Sequence, residues 1–371
     1  MPANSRHRVL LLIPHLGGGG AERVAALLAR GLSEEKYELH LGLITQAQSG
    51  ETLPASVHLH TLGARRVRAG AIRLLRLVRS LKPDLILSGM AHLNFLVLLL
   101  RPFFPRGTRV LVRQNGTISA ILAGAPWYTR VLYRFLYRRA DGVICQSQSM
   151  AEDLARELSI PEKLLTVLPN PVDVEDIRAS ICLNSVPQID LGPRLLAVGR
   201  LAAEKGHDLL LKAMVSVRRE YPQASLLIAG AGPDEAALKV ECHALGLDEA
   251  VRFAGYVDHP WTLFSASTLF VLSSRHEGLP NALLEAAAAG LPIVALPASG
   301  GVAELLRDQH GVWLAPVITA DALAASLLTA LRALRPDERF AHPFVENFRI
   351  DRAIQAYERL IDQTLIMDRI S

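Results

Sequence analysis

The chain has 371 residues, half of them apolar and only 5% aromatic, enough for two domains with aliphatic cores. Its three cysteines, Cys145, Cys182 and Cys242, are odd in number, far apart and in no C-x-x-C pair, which argues against a disulfide framework or a structural zinc site and for a reducing compartment. The net charge of +4 is unevenly spread: residues 1–172 hold 22 Lys/Arg against 11 Asp/Glu and the rest 18 against 25, so only the first half is suited to an anionic surface.

The opening stretch, MPANSRHRVLLLIP, has a six-residue apolar run and no small-residue cleavage site, and so does not read as a signal peptide. The run Phe95–Leu100 is too short to span a bilayer. Arg8–Ile13 is a strand candidate, followed by a Gly-rich turn and a helix over Ala21–Leu32. Leu39–Ile44, Leu85–Ser88, Arg109–Val112, Gly142–Cys145 and Leu164–Leu168 follow as short apolar runs, the pattern of parallel strands buried on both faces. In LPNPVDVED, Leu168–Asp176, two prolines flank Asn170, which predicts a stiff, non-helical turn. Ile177–Pro193 reads as irregular and polar. The alternation then restarts with Arg194–Val198, Ala224–Ala229, Val251–Ala254, Thr268–Leu272 and Pro292–Ala295. Two βα repeats joined by a Pro-rich hinge predict two doubly wound α/β domains facing a cleft, with ligands at the carboxyl ends of the strands.

Several strand-to-helix loops carry candidate chemistry. In HLGGGGAERV, four glycines separate the first strand from its helix. Bare backbone amides at a helix start suit a phosphate, although a tight turn would also use glycine. Arg23 stands where a dinucleotide fingerprint needs its last glycine, and no Lys-Ser/Thr follows, so nicotinamide cofactors and ATP lose ground. Arg200 and Lys205 follow the first strand of the second half. They are either a cation pair for a diphosphate or two solvated surface charges. AGAGPDE, Ala229–Glu235, lacks the glycine spacing of a dinucleotide loop, and SGGVAELL is another Gly-rich turn, with Glu304 in the helix that follows.

SSRHEGLPNALLEAAAAGLPIVA, from Ser273 to Ala295, sets Glu277 and Glu285 eight apart with no Lys or Arg between them. On one helix they would be offset by about 80° and about 12 Å. Gly278 and Pro280 instead put Glu277 before the helix, with Pro280 at its first position and Glu285 about a turn and a half inside. The amides of Asn281, Ala282 and Leu283 would then be open to an anion. The glutamates would repel that anion and suit hydroxyls on either side of it, which together describe a nucleotide sugar. A capping glutamate and a helix-surface glutamate are the plainer alternative.

Taken in order, G-Arg200-L-x-x-E-Lys205-G, Gly255-Tyr256-Val257, Glu277-G-L-P-N-A-L-L-Glu285 with Gly290 and Pro292, and Gly300-G-V-A-Glu304 resemble the donor domain of glycosyltransferase family 4. GGGGAER resembles that family's first loop and LPNPVD its hinge, so the likeness runs from about Arg8 to Pro316. It implies a GT-B fold with an acceptor-binding domain over residues 1–170, a donor domain over 171–352, and a last helix, Ala353–Met367, crossing back to the first domain. It implies retaining transfer of a hexose-type sugar from a UDP- or GDP-linked donor, with no cofactor and no metal site; the absence of D-x-D from the chain agrees. By position, Arg200 and Lys205 would bind the diphosphate and stabilise the departing charge, and Glu277 would hold the sugar near the reacting carbon. Glu285 would hold the ribose, and Gly278, Leu279, Pro280, Asn281, Ala282 and Leu283 would line the donor. Tyr256 and Val257 would meet the base, and Gly18, Gly19 and Gly20 would close over the phosphates. Many family members have a histidine after the strand Arg109–Val112, where this chain has Arg113, Gln114 and Asn115. Asn115 is no base, so Arg113, Asn115, His15 and His92 stand as acceptor-side candidates, with packing the simpler role for the histidines. His276 reads as incidental.

Two basic segments bear on partners. Arg65–Lys82 holds seven basic residues and no acid, with leucines and arginines interleaved at helical spacing. Tyr128–Arg139 mixes Tyr128, Tyr133, Phe135 and Tyr137 with Arg130, Arg134, Arg138 and Arg139. Such helices lie on anionic membranes, or simply cover a sheet with a solvated face. No nucleic-acid module is visible. The sequence thus points to a cytoplasmic enzyme, peripheral on the inner face of the membrane, acting on a lipid-linked glycan in surface polysaccharide or glycoconjugate assembly. A nucleotide-sugar epimerase or a catalytically silent sugar-nucleotide-binding subunit are the alternatives.

Overall fold

In β1 (His7–Ile13), the last five residues are all buried, and they divide between two cores. Leu10 and Leu12 pack on one face of the sheet, Val9, Leu11 and Ile13 on the other. This two-sided burial is what forces a continuous aliphatic run in a parallel strand. The computed structural model describes residues 6–17, 19–45, 53–64, 66–183, 192–335 and 337–366. Gly18 and Arg65, singled out above, lie outside them.

The chain forms two units, Met1–Pro171 with Ile350–Ser371, and Val172–Arg349. The first continues through α1 (Gly20–Gly31), β2 (Tyr37–Leu43), β3 (His58–Thr61), α2 (Ala71–Leu81), β4 (Leu85–Ser88), α3 (Ala91–Leu100), β5 (Arg109–Arg113), α4 (Ile118–Leu122), α5 (Trp127–Tyr137), β6 (Gly142–Cys145), α6 (Gln148–Leu158) and β7 (Leu165–Val167). Its sheet order is β3-β2-β1-β4-β5-β6-β7, with every pair parallel. The order reverses between β1 and β4, so the loops after those two strands flank one crevice mouth.

The second unit holds α7 (Val174–Leu183), β8 (Arg194–Val198), α8 (His207–Glu220), β9 (Ser225–Ala229), α9 (Glu235–Ala244), β10 (Val251–Gly255), β11 (Leu269–Leu272), α10 (Asn281–Ala288), β12 (Ile293–Ala295), α11 (Val302–Leu306), β13 (Val312–Leu314) and α12 (Ala320–Ala333). Its parallel sheet runs β10-β9-β8-β11-β12-β13 and reverses between β8 and β11. One core lies under α8 and α12, the other under α10 and α11. The last helix, α13 (Ile350–Ile366), belongs to the first unit, where Ile354, Tyr357 and Ile361 join the core beneath α1. Lys36 reaches Glu358 at 3.1 Å, and the buried Tyr37 hydroxyl donates to Asp362 at 2.5 Å.

Three differences from the sequence reading have physical causes. Val174–Leu183, expected as hinge turn and irregular chain, is the helix α7. Asp173 accepts the amide of Asp176 at 3.1 Å, a side-chain cap that starts a helix within three residues of Pro171. The edge strands β3 and β13 are short and no residue of either is buried; β3, reading HLHT, lacks the apolar run that marked the others, and β13 is only the three residues Val312–Leu314. Helix α10 begins at Asn281, with Pro280 as its cap residue rather than its first turn.

Candidate functional site

The loops after β8 and β11 emerge side by side at the point where the second sheet reverses. After β8 the chain passes exposed Arg200 and makes a single 3-10 turn, Ala203–Lys205, before α8. After β11 come two buried serines, Ser273 and Ser274, then Arg275, His276 and Glu277. Lys205 Nζ donates to Glu277 Oε1 at 2.6 Å, a bond between residues 72 apart in sequence. Ser274 Oγ donates to the same oxygen at 2.6 Å, so among the described residues both bonds to this carboxylate fall on Oε1. The carboxylate is buried and the ammonium partly so. Burial would penalise either charge alone, and the pairing offsets that penalty.

Close backbone contacts fix the two loops. Ser273 Oγ donates to the Lys205 carbonyl at 2.9 Å. Gly206, at φ +63°, lies so near that a Cβ there would stand 2.1 Å from the Ser273 carbonyl oxygen. The Glu277 amide donates to Ser299 at 3.1 Å. Gly300, at φ +98°, follows, and a Cβ on it would stand 1.7 Å from the Glu277 carbonyl oxygen. The Gly-rich turn at Ser299–Gly301 is thus a seat for the Glu277 loop. His276 is exposed, and its Nδ1 lies 3.0 Å from Ser299 Oγ on that seat.

Glu285 lies on α10 and is only 4% exposed. Gly278, Leu279 and Pro280 are buried on the approach to the helix, while Asn281 and Ala282 are half-buried. The Leu283 amide, expected to be open, donates to the Pro280 carbonyl at 3.1 Å, because the first turn tightens to 3-10 spacing. Tyr256 is exposed and Val257 half-buried after β10, two strands from β8. Among the described residues, no cluster of three or more His, Cys, Asp and Glu is placed to hold a metal ion.

Sequence reasoning missed the braces of this site. Arg275 grips Asp208 through two bonds of 2.7 and 2.6 Å and also donates to the Ala203 carbonyl at 2.8 Å. The guanidinium next to Asp208 holds that carboxyl below its ordinary range. The only sequence signal for Ser274 was its place three residues before Glu277.

In the first unit, Gly19 caps α1 and Gly20 begins it. The buried Glu22 carboxylate folds over Gly19, where a Cβ would stand 2.2 Å from Glu22 Oε2. Burial raises the Glu22 carboxyl above its usual value, against the pull of its own amide and of His15, 3.6 Å away. His92, after β4, is held below its usual value by desolvation first and by His15 second. Arg113, an acceptor-side candidate, is only 2% exposed and is held in a hydrogen-bond net. It donates to Asn115 Oδ1 at 2.5 Å and to Asn170, while Asn94 donates to its carbonyl at 2.9 Å. Asn115 is half-buried in the same net, donating to the Gly89 carbonyl and accepting from Gln146 at 3.1 Å. Asn115 Oδ1 accepts two bonds here, whereas the unprotonated nitrogen of a histidine has a single lone pair and could accept only one.

Two family descriptions cover most of the chain. Residues 18–176 match "Glycosyltransferase Family 4" and residues 187–347 match "Glycosyl transferases group 1". A Campylobacter jejuni N-acetylgalactosamine-N,N'-diacetylbacillosaminyl-diphospho-undecaprenol 4-alpha-N-acetylgalactosaminyltransferase is 28% identical over 86% of this chain and 89% of its own. A sucrose-phosphate synthase from Thermosynechococcus elongatus superposes with a TM-score of 0.80 at 19% identity, covering 98% of this chain and 100% of that one. Anabaena HepE, solved with UDP and glucose, superposes with a TM-score of 0.78 at 17% identity, covering 96% and 100%. At such identities the structures establish the shared GT-B fold.

Proposed function

We propose that this chain, which belongs to the family 4 type of glycosyltransferases, moves a hexose-type sugar from a nucleotide diphosphate sugar to a lipid-linked glycan, with retention and without a metal. The observation that carries the reading is the Lys205–Glu277 bond of 2.6 Å at the sheet's reversal point. A lysine ammonium has three donors. With one on Glu277, two remain for diphosphate oxygens, while the carboxylate keeps Oε2 for sugar hydroxyls. The pair therefore marks the boundary between phosphate and sugar.

In the reaction, the anomeric C–O bond breaks and its electron pair leaves with the diphosphate. Lys205 and the exposed Arg200 would neutralise that charge, work that fixed cations do well because they need no reorganisation. The positive end of the α10 dipole would add to it. Gly278, Leu279, Pro280, Asn281, Ala282 and Leu283 would shape the donor's bed, with Glu285 for the ribose and Tyr256 and Val257 for the base. The acceptor oxygen would bond the same face of the anomeric carbon, and its proton would pass to the oxygen of the departing diphosphate.

The acceptor reading rests on the relative whose name includes a diphospho-undecaprenol carrier and on the basic first half of the chain. Among the described residues no helix is long and apolar enough to cross a membrane, so access to such an acceptor would be from the bilayer surface. The test is a thermal-shift screen of UDP- and GDP-sugars, since a ligand of the folded state raises its melting point. One donor should stabilise the protein and be slowly hydrolysed, and Lys205→Ala should abolish turnover. Undiminished turnover in that variant would remove Lys205 from the chemistry.

A further inference from the structure

The two basic segments of the first unit differ once folded. Helix α2 turns Leu74 and Val78 into the core, and of its residues only Ile72 is a fully exposed large apolar side chain. Its arginines are used locally. Arg73 donates to the carbonyls of Leu62 and Gly63 at 2.6 and 2.7 Å, and Arg79 to that of Phe103 at 3.2 Å.

Helix α5 also uses arginines locally, Arg138 donating to the Ser159 carbonyl at 2.9 Å, but it keeps most of its apolar side chains outward. Only Leu136 and Tyr137 are buried, while Trp127 is 80% exposed, Phe135 is 57% exposed, and Tyr128, Val131 and Leu132 are exposed with them. At about 100° per residue these five share one arc of about 140°. Arg130 and Arg134 border one side of the arc, and Arg138 and Arg139, just past the helix end, continue along it. Arg139 lies over the Phe135 ring at 4.3 Å, and Arg130 pairs with Glu157 at 2.8 Å. Past the helix end, Arg101, Arg138 and Arg139 line a pocket with Asp141. Asp141 is already shared by Arg101 at 2.6 Å and Arg109 at 2.9 Å, so the pocket stays cationic. A surface helix that leaves five large apolar side chains in a single arc, within a basic rim, is unusual for a lone protein.

We propose that this face of α5 is where the enzyme docks on an anionic bilayer. Trp127, Tyr128, Val131, Leu132 and Phe135 enter the boundary between headgroups and acyl chains, and Arg134, Arg138, Arg139 and Arg101 meet the lipid phosphates. Charge complementarity selects this occupant, because no acid interrupts Trp127–Arg139. The inference deepens the reading of a membrane-linked acceptor and rests on it.

The test is co-sedimentation with vesicles of phosphatidylcholine alone and with 30 mol% phosphatidylglycerol. Wild-type protein should partition to the anionic vesicles, less so as salt rises, with a blue shift in tryptophan emission that Trp127→Phe diminishes. Trp127→Ala with Phe135→Ala, and Arg134→Ala with Arg138→Ala, should each weaken partition about tenfold or more. Their melting points should stay near wild type, because the residues are exposed. The paired change Ile72→Ala and Arg76→Ala on α2 should leave partition within about twofold. If the α5 variants partition like wild type, this docking face is wrong and the membrane reading stands without it. If wild-type protein ignores the anionic vesicles at low salt, both fall, while the donor screen still judges the transferase reading separately. Equal binding to neutral vesicles, or a dimer in ultracentrifugation that the α5 variants break, would also overturn the proposal.

Discussion

Arg275 and Asp208 stand 67 residues apart in sequence and face each other through two parallel hydrogen bonds of 2.7 and 2.6 Å. Neither is a donor-contact candidate, yet together they tie the loop carrying Glu277 to the helix that follows Lys205. The Arg275 amide adds a bond to the Glu204 carbonyl at 2.8 Å, so this residue braces the Lys205 turn through both side chain and backbone, beside the Ser273 bond to Lys205. Lysine keeps the charge but cannot reproduce the planar fork. Arg275→Lys and Asp208→Asn are therefore expected to lower kcat/KM for the donor about tenfold. Because both side chains are about a third exposed, the loss of stability should be modest, about 1 kcal/mol after solvent screening. Steady-state kinetics against melting curves separates the two. Equal kcat/KM with a lowered melting point would show a merely structural clamp.

The Lys205–Glu277 pair predicts a different split. Glu277→Gln keeps the shape of the side chain and its link to Ser274, but leaves the ammonium without its countercharge. Turnover should fall about a hundredfold or more, in the range for losing one group that acts on developing charge. Glu277→Ala should do the same to turnover and also destabilise the fold by about 3 kcal/mol, because it leaves Lys205 and the buried Ser274 hydroxyl without their partner. Turnover of the purified variants and their urea unfolding curves check both. Full activity in Glu277→Gln would show that the charge is not needed.

Much of this site was legible before the fold. Lys205, Glu277 and the Gly300 turn each carry a local reason for their residue type, so position in a βα repeat was enough to set them at strand ends. Arg275 and Asp208 were not legible, because an arginine before a histidine and an aspartate after one have no local signature. Only the parallel pairing of β8 with β11 makes them neighbours. The surroundings of Arg113 were not legible for a related reason. A cation at a strand end reads as a ligand group until the net through Asn115 and Asn170 shows where its hydrogen bonds go. The edge strand β3, reading HLHT, held no apolar run to find. The cap at Asp173 could have been found, since an acid just before a helical stretch is a start signal, but the two prolines outweighed it.

Glycine spacing near the site makes a prediction that needs no ligand. Gly300 and Gly246 both have positive φ, +98° and +69°. A Cβ at 246 meets nothing within 4 Å, whereas one at 300 meets the Glu277 carbonyl oxygen at 1.7 Å. Gly246→Ala should therefore cost only the backbone term, about 1 kcal/mol. Gly300→Ala should cost more than twice that, and it should reduce donor binding because relief of the clash moves Glu277. Chemical denaturation of the two variants, alongside donor-induced thermal shifts, measures both effects. Similar stabilities would mean that the Gly300 seat relaxes freely.

His207 begins α8, two residues after Lys205, and is buried. Burial is the main cause that pushes its imidazole down to about 4, and the charge of Lys205 acts in the same direction. The folded protein therefore holds His207 neutral at pH values where an unfolded chain protonates it. Between about pH 6.5 and 4 the unfolded state binds the extra proton, so stability falls as the pH falls, by up to about 3 kcal/mol from this group. His342, His40, His60 and His92 are also held below their ordinary values, so part of the slope should remain without His207. His207→Phe is similar in size and cannot titrate. Its unfolding free energy should decline less steeply from pH 6.5 to 4.5 than that of wild type, with the gap closing above pH 7. Parallel slopes for the two proteins would show that His207 is not the group responsible.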